Sequence, residues 1–256
     1  MFPSDCRICQ SPLARISVLP VCDACLHRIV PRSGIICGVC GEKLFSRFVE
    51  TEDGPRCGMC RRAAPLFQRA VAYGAYDGAL RDLIHVLKYQ RVQPVAAVLG
   101  RLLDQALAGT QLPEPLLVVP VPLFKRKLRE RGFNQAEEIA RAFVRRRKPG
   151  CIQLETSSLA RTRQTASQTG LTRHQRRANV RGAFAVTRPE RIVQRNVLVV
   201  DDVMTTGTTA SECARVLLRA GAKQVFVATL ARATREVEIQ LQHEEFTDQV
   251  ANAAHA

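Results

Sequence analysis

Beyond about residue 66, apolar residues occur in two kinds of run. Short, almost wholly aliphatic runs are typical of strands buried on both faces of a sheet, whereas apolar residues three or four positions apart predict amphipathic helices. The predicted strands cover residues 69–76, 116–120, 197–200 and 224–230, the first of them at an edge. The predicted helices cover 78–89, 94–107, a segment that opens at Arg131–Gln135 and runs to about 147, and 207–220, which ends at Gly221. Strands that alternate with helices predict an α/β fold, a mainly parallel sheet flanked by helices.

The two ends of the chain and one internal segment depart from this pattern. Residues 157–182 show no clear period, and we expect a mobile segment with one short helix near Arg173–Asn179. Residues 236–256 contain five acids and no Lys or Arg, which predicts a separate acidic tail. The sequence therefore predicts three units: a small N-terminal module at 1–65, the α/β domain at 66–235 and the tail at 236–256.

Membrane and export signals are not visible in the sequence. No apolar run approaches the roughly 20 residues needed to span a bilayer. The first residues lack the charged start and apolar core of a secretory signal. We expect a cytoplasmic protein that reaches the inner membrane, if at all, through its partners.

The N-terminal module contains eight of the ten cysteines, arranged as four Cys-x-x-Cys pairs: Cys6/Cys9, Cys22/Cys25, Cys37/Cys40 and Cys57/Cys60. Two residues between thiolates allow one turn to present both sulfur atoms to one ion, and two such turns complete a tetrahedral shell. A short module with few large apolar residues needs the folding free energy that a metal supplies. The pattern predicts a double zinc ribbon with two structural zinc ions. Sequential pairing is the simplest arrangement, interleaved pairing is the alternative, and disulfides or redox dithiols are other uses of such cysteines.

Positive charge is concentrated in two windows of the chain. There are 38 Lys and Arg against 23 Asp and Glu, a net charge of +15. Window 125–148 has ten basic and three acidic residues, and window 161–191 has eight Arg and one Glu, so each is +7. Basic blocks of this density indicate phosphate or nucleic-acid partners, the alternative being solvated helix faces.

Residues 197–209 carry the most specific pattern. Four aliphatic residues precede Asp201 and Asp202, and a Thr-rich turn around Gly207 leads straight into a helix. Such a turn offers backbone N–H groups, hydroxyl donors and the positive end of a helix dipole to a phosphate. It is not a Walker loop, because no Gly-Lys-Ser/Thr is present. Since carboxylates accept hydrogen bonds from vicinal hydroxyls, the pattern predicts a site for a ribose 5-phosphate at the end of the strand.

This thirteen-residue pattern resembles the 5-phosphoribosyl-1-pyrophosphate (PRPP) signature of type I phosphoribosyltransferases. The resemblance implies that Asp201 and Asp202 bind the ribose hydroxyls. It also implies a Mg²⁺ ion on the pyrophosphate, which faces the loop at 120–122. The residues implied to hold the 5-phosphate are Thr205, Thr206, Gly207, Thr208 and Thr209. The candidate pyrophosphate partners are Lys88, Lys125, Arg126 and Arg131.

A narrower resemblance covers nearly the whole chain. After the cysteine pairs come, in order, Leu87-Lys88-Tyr89, Val119-Pro120-Val121-Pro122, Arg131-Gly132-Phe133-Asn134-Gln135 and Arg161-Thr162-Arg163. This order is similar to that of the ComF family of competence proteins. The resemblance implies a part in the internalisation of single-stranded DNA during natural transformation, beside a helicase-like ATPase in some bacteria.

Three functions fit these features. The first is a DNA-uptake protein that binds PRPP and a single strand, mainly through charge; its candidate DNA contacts are Arg161, Arg163, Arg173 and Arg177. The second is an active phosphoribosyltransferase, in which a nitrogen nucleophile displaces pyrophosphate. Thr205 stands where purine-salvage enzymes of this class have an acid, which argues against a purine acceptor. The third is a non-catalytic, PRPP-sensing adaptor.

Aromatic side chains that could stack on nucleic-acid bases are scarce. Aromatic residues make up 5% of the chain and there is no Trp. The candidates for stacking are Tyr73, Tyr76, Tyr89 and Phe133. The sequence therefore predicts nucleic-acid binding that is not sequence-specific.

Overall fold

The computed structural model describes residues 5–14, 17–45, 54–165 and 173–233, without the side chains of residues 173, 174, 176 and 177. Its strands are β1 (Ala70–Ala75), β2 (Leu116–Pro120), β3 (Ile152–Leu154), β4 (Leu159–Arg161), β5 (Phe184–Val186), β6 (Asn196–Met204) and β7 (Gln224–Arg232). Its helices are α1 (Asp23–His27), α2 (Gly58–Arg62), α3 (Gly78–Lys88), α4 (Val95–Leu107), α5 (Lys125–Arg131), α6 (Gln135–Val144), α7 (Arg173–Val180) and α8 (Thr208–Arg219).

Five parallel strands form the main sheet, in the order β1-β7-β6-β2-β3. The strands β4 and β5 pair antiparallel beside it. Successive side chains of a strand point to opposite faces. In β2, Val118 accordingly packs with α3, α4 and α6 on one face, while Leu117 and Val119 pack with α8 on the other. The α/β prediction is confirmed: the sheet is buried between two layers of helices.

The long helices and the buried strands follow the apolar periodicity. The helices predicted at 78–89 and 94–107 are α3 and α4, and the short helix predicted near Arg173–Asn179 is α7. The segment predicted at 157–182 as irregular also contains β4, which pairs with β5. Residues 166–172 of that segment lie outside the described part of the chain.

One short helix was not predicted. The helix predicted from Arg131–Gln135 to about 147 is α6, but the sequence did not predict α5, which directly precedes it. The basic helix α5 ends at Arg131 because Gly132 adopts a left-handed conformation, with φ of 86°. The helix α6 then begins at Gln135, where the Asn134 side chain accepts from the Ala136 backbone N–H at 3.1 Å, and it ends at Val144.

The strand β6 is longer than predicted. The sequence predicts a strand at 197–200 that ends before the two acids, whereas β6 continues through Asp201 and Asp202 to Met204. The reason is the neighbouring strand: β7 extends alongside, with Asp201 opposite Thr229 and Val203 opposite Ala231. The acids therefore sit on a rigid strand.

The N-terminal segment packs against β1, the edge strand of the sheet. The Ala70 N–H donates to the Val39 carbonyl at 2.7 Å, and the Arg32 N–H donates to the Tyr73 carbonyl at 2.8 Å. Gly41 has φ of 68°, and a Cβ there would lie 3.0 Å from the Ala70 oxygen, so this contact requires glycine. Several apolar residues of this segment, including Cys6 and Leu13, belong to the same buried cluster as α3 and α4.

Two further predictions concern the division of the chain into units and membrane-spanning helices. The acidic tail at 236–256 lies outside the described residues, and the three-unit division stays a prediction. Within the described ranges, no helix has both the length and the apolar character needed to cross a membrane.

We expect Gly100→Ala to destabilise the fold. Gly100 is in α4 where it crosses α6, and a Cβ there would lie 2.6 Å from the Ala142 Cβ and 2.8 Å from the Ala142 carbonyl carbon. Overpacking of this kind costs about 1–3 kcal/mol, which exceeds the gain of up to ~1 kcal/mol in helix propensity. Urea unfolding measures the change. Gly109→Ala is the matched control, because a Cβ there meets nothing within 4 Å; equal midpoints for the two variants would contradict the packing argument.

Candidate functional site

The two acids and the Thr-rich turn come together at the carboxyl edge of the sheet. Asp201 and Asp202 are near the end of β6, and a turn at 205–207 leads into α8. Gly207 has φ of 75°, a conformation that favours glycine, and places Thr208 at the start of the helix. The Thr206 and Thr208 hydroxyl oxygens are 2.6 Å apart. Because the first N–H groups of a helix have no intrahelical acceptor, this turn suits an anion.

Two polar side chains hold Asp202 in place. The Lys88 ammonium at the end of α3 forms an ion pair with Asp202 Oδ2. The Gln135 amide at the start of α6 donates to Asp202 Oδ1 at 3.0 Å. All three side chains are buried or nearly so. Two helices that are far apart in sequence therefore meet at one carboxylate.

The two acids have opposite protonation behaviour. Burial, together with the neighbouring Asp202 carboxylate, raises the pKa of Asp201 well above its ordinary value. Burial also disfavours ionisation of Asp202, but the Lys88 charge and the hydrogen bonds from Lys88 and Gln135 outweigh it and lower the pKa of Asp202. The pair therefore holds its negative charge mainly on Asp202, and Asp201 accepts a proton first.

The candidate pyrophosphate residues divide into two groups. Lys88 and Arg131 are partly or fully buried: Lys88 binds Asp202, and the Arg131 guanidinium donates to Gln135 Oε1. Lys125 and Arg126 are exposed on α5, where Arg126 pairs with Glu130 at 2.7 Å. The loop after β2 is fixed beside β6, since the Val121 N–H donates to the Val200 carbonyl at 2.9 Å.

The four candidate DNA contacts also differ in their surroundings. The half-buried Arg161 guanidinium lies 5.4 Å from the Phe184 ring centroid and interacts electrostatically with Asp201. Arg163 donates to the Asn179 and Arg181 carbonyl oxygens at 2.8 and 3.0 Å, which ties β4 to the end of α7. Arg173 and Arg177 lie on α7, and their side chains are outside the described part. Arg161 thus packs against Phe184 and interacts electrostatically with Asp201, whereas Arg163 bonds to backbone carbonyl oxygens.

Gln135 is a site residue that sequence reasoning did not assign. Its amide bridges Arg131 and Asp202, two residues that no local pattern connects. The available signal is its position directly after the Asn134 cap, within Arg131-Gly132-Phe133-Asn134-Gln135. A polar residue at a buried first turn indicates a partner across the core.

The eight paired cysteines form two groups of four: Cys6, Cys9, Cys22 and Cys25, and Cys37, Cys40, Cys57 and Cys60. In each group all the sulfur atoms lie within 4.8 Å of one another. The sulfur–sulfur distances are 3.9 Å for Cys6–Cys25, 3.7 Å for Cys9–Cys22 and 3.6 Å for Cys40–Cys57. A tetrahedral zinc ion with Zn–S bonds of about 2.3 Å requires edges of about 3.8 Å. Sequential pairing is confirmed, and both groups fit a metal ion.

Comparison with known proteins identifies the class of this domain. A family model described as the phosphoribosyl transferase domain matches residues 128–252. The chain is also similar to the solved structure of the allosteric regulatory enzyme of purine biosynthesis, with 22% identity, 54% of this chain and 26% of that chain covered, and a TM-score of 0.34. The parallel sheet and the matched family model define a phosphoribosyltransferase-type domain.

Full-length relatives identify the family. DNA utilization protein YhgH of Escherichia coli K12 is 34% identical over 90% of this chain and 97% of that protein. Competence protein F of Haemophilus influenzae is 32% identical over 91% and 98%. Competence protein ComFC of Bacillus subtilis is 24% identical over 83% and 84%. The chain belongs to the ComF family of competence proteins.

We expect Lys88→Met to raise the pKa of Asp202. Without the cation, the interactions that oppose the effect of burial are weaker, so Asp202 becomes neutral at a higher pH than in the native chain. In the native chain the ion pair of Lys88 with Asp202 stabilises the fold at pH values above the ordinary aspartate pKa. This contribution is lost as the pH falls through the lowered pKa of Asp202. Carboxyl ¹³C NMR titration measures the shift. Lys125→Met is the control, because Lys125 is exposed on α5; an unchanged Asp202 titration in Lys88→Met would refute the assigned role.

Proposed function

We propose that this chain binds PRPP with Mg²⁺ at the carboxyl edge of the sheet and takes part in the uptake of single-stranded DNA. The observation that carries the proposal is the carboxylate pair of β6 directly beside the Thr-rich turn of α8. The competence and DNA-utilization names of its relatives support the cellular role.

In this proposal the turn and the pair bind different parts of one ligand. The N–H groups and hydroxyls of residues 205–209 hold the 5-phosphate at the positive end of α8. Asp201 and Asp202 accept hydrogen bonds from the ribose hydroxyls, and the Lys88 charge keeps Asp202 ionised. Bound Mg²⁺ supplies charge neutralisation to the pyrophosphate. Lys88 at the end of α3 and Arg131 at the end of α5 add positive charge for the pyrophosphate. The exposed Lys125 and Arg126 of α5 add further positive charge at the surface.

In this proposal the same Thr-rich turn also binds a backbone phosphate of single-stranded DNA. Arg161, which interacts electrostatically with Asp201, serves as a contact to the adjoining backbone, whereas Arg163 supports the fold of that region. Arg173 and Arg177, both in α7, are the other proposed contacts. Because such contacts neutralise phosphates, binding depends steeply on salt and little on sequence.

Zinc in both cysteine groups is part of the proposal. All eight ligands are thiolates, so neither ion has an open position, and the role is structural. The second group, which contains Cys40, lies beside the sheet. Glu42, two residues after Cys40, pairs with Arg232 of β7 at 2.6 Å. We further propose a helicase-like ATPase as a partner. The proposed location is the cytoplasm, with attachment to the periphery of the inner membrane through partners.

The function is tested by replacing both acids. We expect the native chain to bind PRPP with Mg²⁺ in calorimetry and a single-stranded oligonucleotide in anisotropy, and the oligonucleotide affinity to fall steeply with salt. Asp201→Asn with Asp202→Asn should abolish the PRPP heat while circular dichroism stays unchanged. Asp104→Asn is the control, because Asp104 pairs on the surface with Arg147.

Three outcomes decide the proposal. An unchanged PRPP heat in the double variant would refute the carboxylate role. A native chain that binds no oligonucleotide at any salt concentration would refute the DNA role. Release of pyrophosphate with any base from a panel would show that PRPP is turned over and would make the chain a transferase.

The metal prediction is tested by elemental analysis. We expect about two zinc ions per native chain and about one in Cys40→Ser, which removes one ligand of the second group. Cys151→Ser is the matched control, since Cys151 lies outside both groups and should leave the zinc content unchanged. A native chain without zinc, or Cys40→Ser with unchanged zinc, would contradict the assignment.

A further inference from the structure

Tyr89 is a large aromatic side chain that faces solvent beside the candidate site. It is 59% exposed, whereas Tyr73, Tyr76 and Phe133 are 8%, 5% and 8% exposed. The structure thus removes three of the four aromatic candidates for base stacking. Exposing an aromatic ring costs apolar burial, which gives a reason to ask what the ring contacts in function.

The exposed ring is held firmly. The His85 ring packs edge-on against it, with centroids 5.1 Å apart and planes at 73°. His85 is itself fixed, because its Nε2 lies 2.9 Å from the hydroxyl of the buried Tyr76. The Arg131 guanidinium lies 5.7 Å from the Tyr89 ring centroid. A ring already positioned by its neighbours loses little conformational entropy when a flat partner stacks on it.

The ring is also connected to Asp202 through neighbouring residues. Tyr89 directly follows Lys88, which binds Asp202. From the other side, Arg131 donates to Gln135, and Gln135 donates to Asp202 at 3.0 Å. Tyr89 is therefore linked through the side chains of Arg131 and Gln135 to the acid that the proposed function places against a sugar.

The surroundings of the ring suit an anionic chain. Exposed basic side chains on α5 include Lys125, Arg126 and Arg129. Arg91, two residues beyond Tyr89, donates to the Glu130 carbonyl at 2.5 Å and so attaches this turn to the end of α5. An exposed ring within a positively charged surface matches the pattern of single-strand binding sites, in which aromatics hold bases and cations hold phosphates.

We propose that Tyr89, backed by Arg131, is a stacking platform for one unpaired base of a single-stranded nucleic acid whose sugar–phosphate backbone lies at the carboxyl edge of the sheet. This inference rests on the proposed function and adds a base-binding position to it. Stacking on a tyrosine ring accepts any base, which agrees with binding that is not sequence-specific.

The absence of Trp from the chain makes a direct test possible. Tyr89→Trp introduces a single Trp, whose fluorescence a stacked base quenches. We expect a thymine oligonucleotide to quench it strongly, and an abasic oligonucleotide of the same length to leave it nearly unchanged. Val193→Trp is the matched control: Val193 is 49% exposed and lies before β6, at the opposite end of that strand from the two acids.

Affinity gives the second readout. We expect Tyr89→Ala to weaken binding of the thymine oligonucleotide about tenfold, within the range that stacking of one base contributes. Binding of the abasic oligonucleotide should stay at the native value, and Tyr89→Phe should restore the native affinity for the thymine strand.

The outcomes separate this inference from the proposed function. Native binding of both oligonucleotides, with Tyr89→Ala unchanged and Tyr89→Trp not quenched, would overturn the platform and leave the proposed function standing. An equal loss of abasic and thymine binding in Tyr89→Ala would also overturn it, because Tyr89 would then act only through Lys88 and Asp202. No native binding of either strand would remove both the platform and the DNA role.

Discussion

The burial of two adjacent carboxyl groups at the end of one strand is the constraint on which the site depends. Buried charges are costly unless they are paired and hydrogen-bonded. Here the cation comes from the end of α3 and the amide from the start of α6, and both reach Asp202. The glycine that ends α5 and the asparagine that caps α6 place Gln135 where this bond can form. The position of Asp202 at this edge is therefore fixed by one cation and one amide, each from a different helix.

The cysteine-rich segment packs at the β1 edge of the sheet, and β3 is the opposite edge. Unpaired edge strands are a liability, and β1 exchanges backbone hydrogen bonds with this segment: Ala70 donates to the Val39 carbonyl, and Tyr73 accepts from the Arg32 N–H. The Glu42–Arg232 pair then joins the second group to the end of β7, beside the strand that carries the acids. The cysteine-rich segment thus covers the sheet edge, and its apolar residues share a core with α3 and α4.

The sequence predicted what depends on local pattern. Periodicity predicted α3, α4 and the buried strands, and Cys-x-x-Cys spacing predicted the two groups of four. It did not predict α5, whose seven residues are nearly all charged and show no apolar face. It did not distinguish Arg161 from Arg163, two residues apart in one basic window, because the contact of one with Phe184 and the bonds of the other to carbonyl oxygens depend on β5 and α7. The role of Gln135 was missed for the same reason: its partner is 67 residues away.

We propose that the β6 acids and the α8 turn together bind a phosphorylated ribose. A crystal structure of the native chain with PRPP and Mg²⁺ tests this claim most directly. We predict ribose hydroxyls within hydrogen-bond distance of Asp201 and Asp202 and the 5-phosphate on the backbone N–H groups of residues 206–209. Density for the ligand on the basic face of α5, with the acids contacted only by protein side chains, would contradict the claim.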